Sequence, residues 1–524
     1  MAGKVYLVGA GPGDARLITI KGKECIEKAD AIVYDRLASP RLLGWARPGT
    51  QKVYVGKLPD RHTMKQEEIN RLLADLALEG KVVVRLKGGD PTIFGRVGEE
   101  AELLRQLGIP YEIVPGITSS ISVPAYAGIP VTHRDLASSL SIITGHESPD
   151  KLDRMIQWDK VTNATGTLIF MMGVAKIGYI SRQLIKHGRS PATPVALIRW
   201  GTRAEQDTLV GTLADIEERV KAADFQPPAV IVVGEVVHQR EKLQWAEHLP
   251  LFGKRILVTR ARSQASALVS RIEELGGEPY EYPVIDTVMP DSEEVLSGVR
   301  HAMEELGTYD WVFFTSVNGV DYFFRHLKAC GKDIRALASA RIVAVGPATG
   351  EALRERGIAA EVLAERFQAE GLIDAYGPVL APGQHVLLPR GDKARRWLPE
   401  KLEALGLHVT EAVMYETVLV GEHDDELMKL LMEGAVHAVT FTSSSTVTNL
   451  LQALKSMGVE RPAELLQSSS IFCIGPVTAK TAEDAGLQVS RTADEATIDS
   501  LVQALCEWNA ENPRRLQALE KLNL

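Results

Sequence analysis

A long internal repeat in the second half of this 524-residue chain constrains its fold more than any other feature. Ile256-Leu257-Val258-Thr259-Arg260 recurs about 130 residues later as Val386-Leu387-Leu388-Pro389-Arg390, each followed by a helix-like stretch ending at Leu275-Gly276 or Leu405-Gly406. Trp311-Val312-Phe313-Phe314-Thr315-Ser316 matches Ala438-Val439-Thr440-Phe441-Thr442-Ser443, and Val345-Gly346-Pro347-Ala348-Thr349 matches Ile474-Gly475-Pro476-Val477-Thr478. A solenoid unit spans only ~20–50 residues. The repeat therefore predicts two duplicated, domain-sized α/β lobes with a cleft between them, a preferred place for a ligand.

The first half shows the same alternation of short β-branched runs with helical-period stretches: Val5-Tyr6-Leu7-Val8, Ala31-Ile32-Val33-Tyr34, Val82 to Leu86, Ser141-Ile142-Ile143 and Leu168 to Met171. That pattern is α/β. The last such run, Val230 to Val233, precedes a polar stretch to Trp245 and then Leu249-Pro250-Leu251-Phe252-Gly253. The principal boundary is placed there, giving domains 1–250 and 251–524, as expected for a chain longer than one core usually grows.

Composition excludes several classes. The chain is 45 % apolar and 24 % charged, as in ordinary soluble globular proteins, and no apolar run approaches the ~20 residues of a bilayer span. Its N-terminus reads as a strand and a glycine turn rather than an export signal. Cys25, Cys330, Cys473 and Cys506 lack metal-ligand spacing, so reduced thiols in a cytoplasmic protein are expected and no metal site. A net charge of −9 argues against nucleic acid as a partner, while local arginine clusters still suit an anionic small molecule.

Gly9-Ala10-Gly11-Pro12-Gly13-Asp14 follows a strand and invites a dinucleotide reading, but the sixth position is Asp14, and Pro12 removes an N–H that a pyrophosphate would use. Arg85-Leu86-Lys87-Gly88-Gly89-Asp90-Pro91 and Phe94-Gly95-Arg96-Val97-Gly98-Glu99-Glu100 place glycines and acids at another strand end, where loops bind ligands. Pro115-Gly116-Ile117-Thr118-Ser119, Thr132-His133-Arg134 and Thr144-Gly145-His146 are loops of the same kind.

In order and spacing, Gly9 to Asp14, Tyr34-Asp35-Arg36-Leu37, Gly56-Lys57, Arg85 to Pro91, Pro115 to Thr118 and Thr132 to Arg134 resemble the tetrapyrrole methylases, most closely the uroporphyrinogen-III C-methyltransferases, over residues 3–245. The resemblance implies two α/β lobes holding S-adenosyl-L-methionine in a trough, usually in a homodimer. Matched residue by residue, it assigns cofactor contacts to Pro12, Gly88, Gly89, Asp90, Ile93, Thr118, Ser119, Met172 and Gly201. It implies Asp35 as proton acceptor, Lys57 as donor, Arg96 and Glu99 as substrate-facing catalytic groups, and Arg36 and Arg134 as propionate clamps. Alignment of donor and carbon nucleophile needs no metal, and acid/base groups move the proton that the methylated carbon sheds. Val97 and Thr92 depart from the family pattern, which commonly has glycine and an aromatic there.

By residue types alone the second half is a two-lobed anion-binding module, catalytic or not, with hydroxyls and free N–H groups at strand ends. Phe314-Thr315-Ser316, Gly346-Pro347-Ala348-Thr349, Pro389-Arg390-Gly391, Tyr415-Glu416-Thr417 and Gly475-Pro476-Val477-Thr478 resemble uroporphyrinogen-III synthase over residues 253–507. That resemblance implies closure of hydroxymethylbilane with inversion of ring D, Tyr415 as the acid, and Thr349 and Thr478 as substrate contacts. It also implies a chain that starts in one lobe, crosses to build the other and returns. The joint expectation is a bifunctional enzyme whose first half adds two methyl groups to give precorrin-2 for sirohaem or cobalamin. A methylase of another precorrin with a ligand-sensing second half is the alternative.

Overall fold

The computed structural model describes residues 3–56, 64–145, 156–260, 262–362, 369–419 and 424–512. Twenty-one strands in these residues form four sheets. The first sheet contains β1 (Lys4–Gly9), β2 (Ala31–Tyr34), β3 (Gln51–Tyr54), β4 (Val82–Lys87) and β5 (Tyr111–Val114) in the order β3-β2-β4-β1-β5, all parallel. Its central strands are apolar on both faces because helices cover both sides: Val5, Leu7, Val33 and Val83 pack toward one layer, Val8, Ile32, Val84 and Leu86 toward the other.

The second sheet holds β6 (Leu140–Thr144), β7 (Thr167–Met171), β8 (Pro194–Arg199), β9 (Asp207–Thr212) and β10 (Ala229–Val233) in the order β6-β7-β10-β8-β9. Only β6 and β7 run parallel in it. After β10 the chain turns through short helical segments to His248. Leu251 is already fully buried among Ile256, Val258 and Leu268 of the second half.

The second half corrects the simplest reading of the repeat. Its strands are β11 (Arg255–Val258), β12 (Glu278–Glu281), β13 (Ile285–Val288), β14 (Trp311–Phe314), β15 (Arg341–Ala344), β16 (Glu361–Val362), β17 (His385–Gly391), β18 (His408–Leu419), β19 (Ala438–Phe441), β20 (Ser470–Cys473) and β21 (Val489–Thr492). One sheet runs β12-β11-β19-β20-β21, the other β13-β18-β17-β14-β15-β16. The repeats are therefore interleaved: one sheet joins β11 and β12 of the first repeat to β19, β20 and β21 of the second, and the other joins β17 and β18 of the second repeat to β13, β14, β15 and β16 of the first. Duplication set the shape of both lobes, but Ile256 pairs with Ala438 and Trp311 with Val386, so neither repeat is itself a lobe. This is the out-and-back path that the synthase resemblance implied. The sheets are parallel except for β13, which runs antiparallel to β18 at an edge. No helix among the described residues is long and apolar enough to cross a membrane.

Candidate functional site

Because β1, β2, β4 and β5 are parallel, the loops after Gly9, Tyr34, Lys87 and Val114 leave the same edge of the first sheet, where ligands of open α/β sheets bind. Glycines let these loops touch. The Gly11 N–H donates to Gly89 O at 3.2 Å and the Gly89 N–H to Gly11 O at 2.7 Å, with Gly89 at φ +69°, a backbone state that glycine adopts freely. A Cβ on Gly116 would stand 2.4 Å from Gly89 O and 2.7 Å from the Gly9 Cα.

Asp90, 8 % exposed, ties its own loop to the one after β5. One carboxylate oxygen accepts the Gly116 N–H at 2.9 Å; the other accepts the Thr92 N–H at 2.7 Å and the Thr92 hydroxyl. Ile93 closes the turn by donating its N–H to Asp90 O at 3.3 Å. Thr118 caps the helix Ser119–Tyr126. From the second sheet Gly201 packs on that helix, where a Cβ would meet Val123 Cγ1 at 2.4 Å, and the Asp14 N–H donates to the Thr202 hydroxyl at 3.0 Å. Pro12, Gly88, Gly89, Asp90, Ile93, Thr118, Ser119 and Gly201 thus belong to one cluster of loops. Met172 follows β7 at φ +58°, 48 % exposed.

A charged core lies beneath the same edge. Asp35, at the end of β2, accepts from the Arg85 guanidinium at 3.0 Å and from the Leu37 N–H at 3.1 Å. Arg85 and Lys87, both buried in β4, share Glu100, which is 1 % exposed: Lys87 Nζ lies 2.6 Å and Arg85 Nε 3.4 Å from its Oε1. Burial, reinforced by Arg85, pushes the Lys87 ammonium below its ordinary range. Two cations thus face two carboxylates, as buried charge requires. The sequence reading assigned no role to Arg85, Lys87 or Glu100. The available signal was two cations inside the apolar run Val82–Lys87, which burial allows only with partners.

The other candidate residues are more dispersed. Arg36 is exposed, its guanidinium carbon 5.3 Å from the Trp200 ring centroid. Arg96 and Glu99 form a bidentate pair with both bonds at 2.7 Å. This contact raises the Arg96 pKa and lowers that of Glu99. Arg134 is exposed on a separate loop, and Lys57 lies outside the described residues.

In the second half, strand ends of the two sheets present matching elements. Ser316 after β14 caps its helix by accepting the Gly319 N–H at 3.0 Å, and Ser443 after β19 accepts the Thr446 N–H at 3.4 Å. Thr349 and Thr478 occupy the third positions of helices Pro347–Arg354 and Pro476–Asp484, buried at 4 % and 5 % exposure. Tyr415 stands at a bulge where Gly391 opposes it in β17. Its hydroxyl is 3.4 Å from Ser316 Oγ, and its ring centroid is 5.3 Å from that of Tyr322. Ser316 carries no signal of this contact in its sequence motif, because only the fold brings it to Tyr415. Among the described residues no group of three His, Cys, Asp or Glu side chains is arranged to hold a metal ion.

Two family models match the chain. The tetrapyrrole (corrin/porphyrin) methylases match residues 4–217, and the uroporphyrinogen-III synthase HemD family matches residues 266–503. The porphyrin biosynthesis protein HemD of Ruminiclostridium josui is 38 % identical over 97 % of this chain and 99 % of its own. A uroporphyrinogen-III C-methyltransferase of Bacillus subtilis (strain 168) is 39 % identical over 91 % of this chain and 92 % of its own. An S-adenosyl-L-methionine-dependent uroporphyrinogen III methyltransferase of Methanosarcina barkeri is 51 % identical over 46 % of this chain and 94 % of its own.

Proposed function

The chain belongs to the family that fuses a tetrapyrrole methylase to a uroporphyrinogen-III synthase, and from that membership we propose that residues 1–250 methylate what residues 251–524 produce. It is a bifunctional enzyme of tetrapyrrole biosynthesis that uses S-adenosyl-L-methionine. The synthase half closes hydroxymethylbilane to uroporphyrinogen III; the methylase half adds two methyl groups, giving precorrin-2. The observation that carries the methylase reading is the joining of the loops after β1, β4 and β5 through Gly11, Gly89, Asp90 and Gly116, beside Asp35.

The residues present fit the cofactor. The Gly88-Gly89 turn brings bare backbone to the edge of the sheet, a cradle that side chains would fill, and Thr118 and Ser119 add hydroxyls to it. S-adenosyl-L-methionine, when bound, supplies an electrophilic methyl group. The protein's own work is then alignment and proton removal: Asp35 takes the proton from the methylated carbon, and Arg85 and the buried pair behind it hold its carboxylate toward the trough. Arg36, Arg96 and Arg134 engage substrate propionates, Arg96 once Glu99 releases it. In the second half Tyr415 protonates the departing hydroxide, while Thr349 and Thr478 help shape the bound chain.

We place the enzyme in the cytoplasm, where its four free thiols stay reduced. We assign a homodimer to the methylase half, whose edge strand β5, following loop and next helix expose Tyr111, Ile113, Ile117 and Ile121.

Incubating the full chain with hydroxymethylbilane, with and without S-adenosyl-L-methionine, tests both halves. Type III uroporphyrinogen is expected without cofactor and its dimethylated product with it. Type I isomer alone would refute the synthase assignment, and type III that stays unmethylated would refute the methylase. Within the methylase, Asp90→Ala should lose S-adenosylhomocysteine binding by calorimetry because the loops after β4 and β5 come apart. Arg96→Ala should keep that affinity and lower turnover by about 10²-fold. Equal loss of affinity in both would show that Arg96 belongs to the cofactor side.

A further inference from the structure

The turn that carries Gly201 is held from the other enzyme. Trp200 and Thr202 both have positive φ, +45° and +71°, costly for an aromatic and a β-branched side chain. Such conformations persist only when the surroundings over-determine them. Within the methylase the Thr202 N–H donates to Gln206 Oε1 at 2.8 Å and its hydroxyl accepts from Asp14. The Trp200 N–H also donates to Pro228 O at 3.3 Å and the Arg203 N–H to Trp200 O at 3.1 Å, and a further hold comes from Glu278, the first residue of β12 in the synthase half. One Glu278 oxygen accepts the Ala204 N–H at 2.7 Å, the other accepts from the Arg203 guanidinium at 3.1 Å.

Glu278 is itself anchored. Arg255 of β11, 1 % exposed, donates to both its oxygens at 3.1–3.2 Å, and reaches back to Glu205 of the methylase at 2.6 Å. Burial opposes ionisation of Glu278, but Arg203 and Arg255 outweigh it and hold the carboxyl well below its usual range. Two cations and two anions thus close a neutral network across the junction. Its far side bears on the cofactor loop: a Cβ on Gly13 would strike Arg203 Cγ at 2.7 Å and the Thr202 hydroxyl at 2.9 Å. Arg203 therefore packs directly against the segment Pro12–Asp14.

We propose that Glu278 of the synthase half is a positioning residue for the cofactor pocket of the methylase half, fixing the Gly201 turn and, through Arg203, the Pro12–Asp14 loop. This rests on the methylase reading above. The rest of the contact is divided: Glu273 binds Arg41 and also faces Arg16, which pairs with Asp14 of the same loop, whereas Glu281 binds Arg41, in the segment following Asp35 and Arg36.

The test uses the full chain. Glu278→Gln keeps an acceptor for the Ala204 N–H but removes the charge that faces Arg203 and Arg255. Its dissociation constant for S-adenosylhomocysteine and its KM for S-adenosyl-L-methionine should rise about tenfold. Turnover at saturating cofactor, and the rate of type III isomer formation, should stay near wild type. Glu281→Gln, which loosens only Arg41, should leave cofactor affinity unchanged. Should Glu278→Gln fail to fold, Arg203→Lys keeps the charge balance but shortens the reach to Glu278, and a rise of the same sign is expected. Unchanged cofactor affinity in a folded Glu278→Gln or Arg203→Lys variant overturns the proposal. So does a fall in synthase and methylase turnover together, which marks a merely structural contact. Wild-type protein that binds no S-adenosylhomocysteine would instead overturn the methylase reading beneath it.

Discussion

Asp35→Asn is expected to lower methylation by about 10²–10⁴-fold, the usual contribution of a positioned general base, with S-adenosylhomocysteine affinity unchanged. Asp35 ends β2 with one oxygen on the Leu37 N–H and the other on Arg85. Asparagine keeps the Leu37 contact through its carbonyl oxygen and loses the one to Arg85, because an amide N–H₂ cannot accept from a guanidinium, so the side chain retains one anchor and has no basic oxygen. Asp35 makes no bond to the loops joined by Asp90, which is why the cofactor should bind as before. Single-turnover methylation of uroporphyrinogen III, with calorimetry on the same preparation, separates the two effects. Wild-type turnover would remove Asp35 from the chemistry, and a parallel loss of affinity would place it with the cofactor instead.

Local pattern carried much of this fold. The runs Val5–Val8, Ala31–Tyr34 and Val82–Leu86 became β1, β2 and β4 because their apolar residues must be covered on both faces and their flanking glycines and acids end them. What a linear pattern cannot encode is which strand pairs with which. The repeat announced two equal lobes, yet β11 pairs with β19 across 182 residues rather than within its own unit, so the lobes are interleaved. Pairing across such distances is decided by packing of the finished sheet, where the sequence leaves no local trace.

The site divides in the same way. The glycine loops were legible because each carries its own backbone constraint, and the structure places Gly11, Gly89 and Gly116 against one another. Asp90 has a task that its motif did not announce: its oxygens receive Thr92 and Gly116, so it also holds two loops together. Glu100 stayed hidden because its neighbours Glu99 and Ala101 look like any helix surface; only the packing of that helix on β4 sets it against Arg85 and Lys87. Glu278 was less visible still, since a glutamate beginning an edge strand resembles a solvated charge until Arg203 arrives from another domain.

Tyr415→Phe is expected to slow closure of hydroxymethylbilane by up to about 10²-fold, as for loss of one general acid, while the product remains the type III isomer. On the proposed assignment the acid is a single local group, whereas shape control is spread over the cleft. The Tyr415 hydroxyl sits 3.4 Å from Ser316 Oγ, which already receives the Gly319 N–H at the start of its helix, so the pair offers a proton at one point of the strand-end surface. The ring is held by Tyr322 and by the space that Gly391 leaves: a Cβ there would lie 2.6 Å from the Tyr415 ring. Gly391→Ala should therefore displace the same hydroxyl and lower the rate by a similar factor without touching the phenol. Isomer choice is expected to depend on surfaces of both lobes that neither substitution alters. Rate is read by following uroporphyrinogen formation, and isomer ratio by chromatography of the oxidised porphyrins. A fully active Tyr415→Phe variant would remove the phenol from the mechanism, and a shift toward type I would show that Tyr415 shapes the substrate rather than protonating its leaving group.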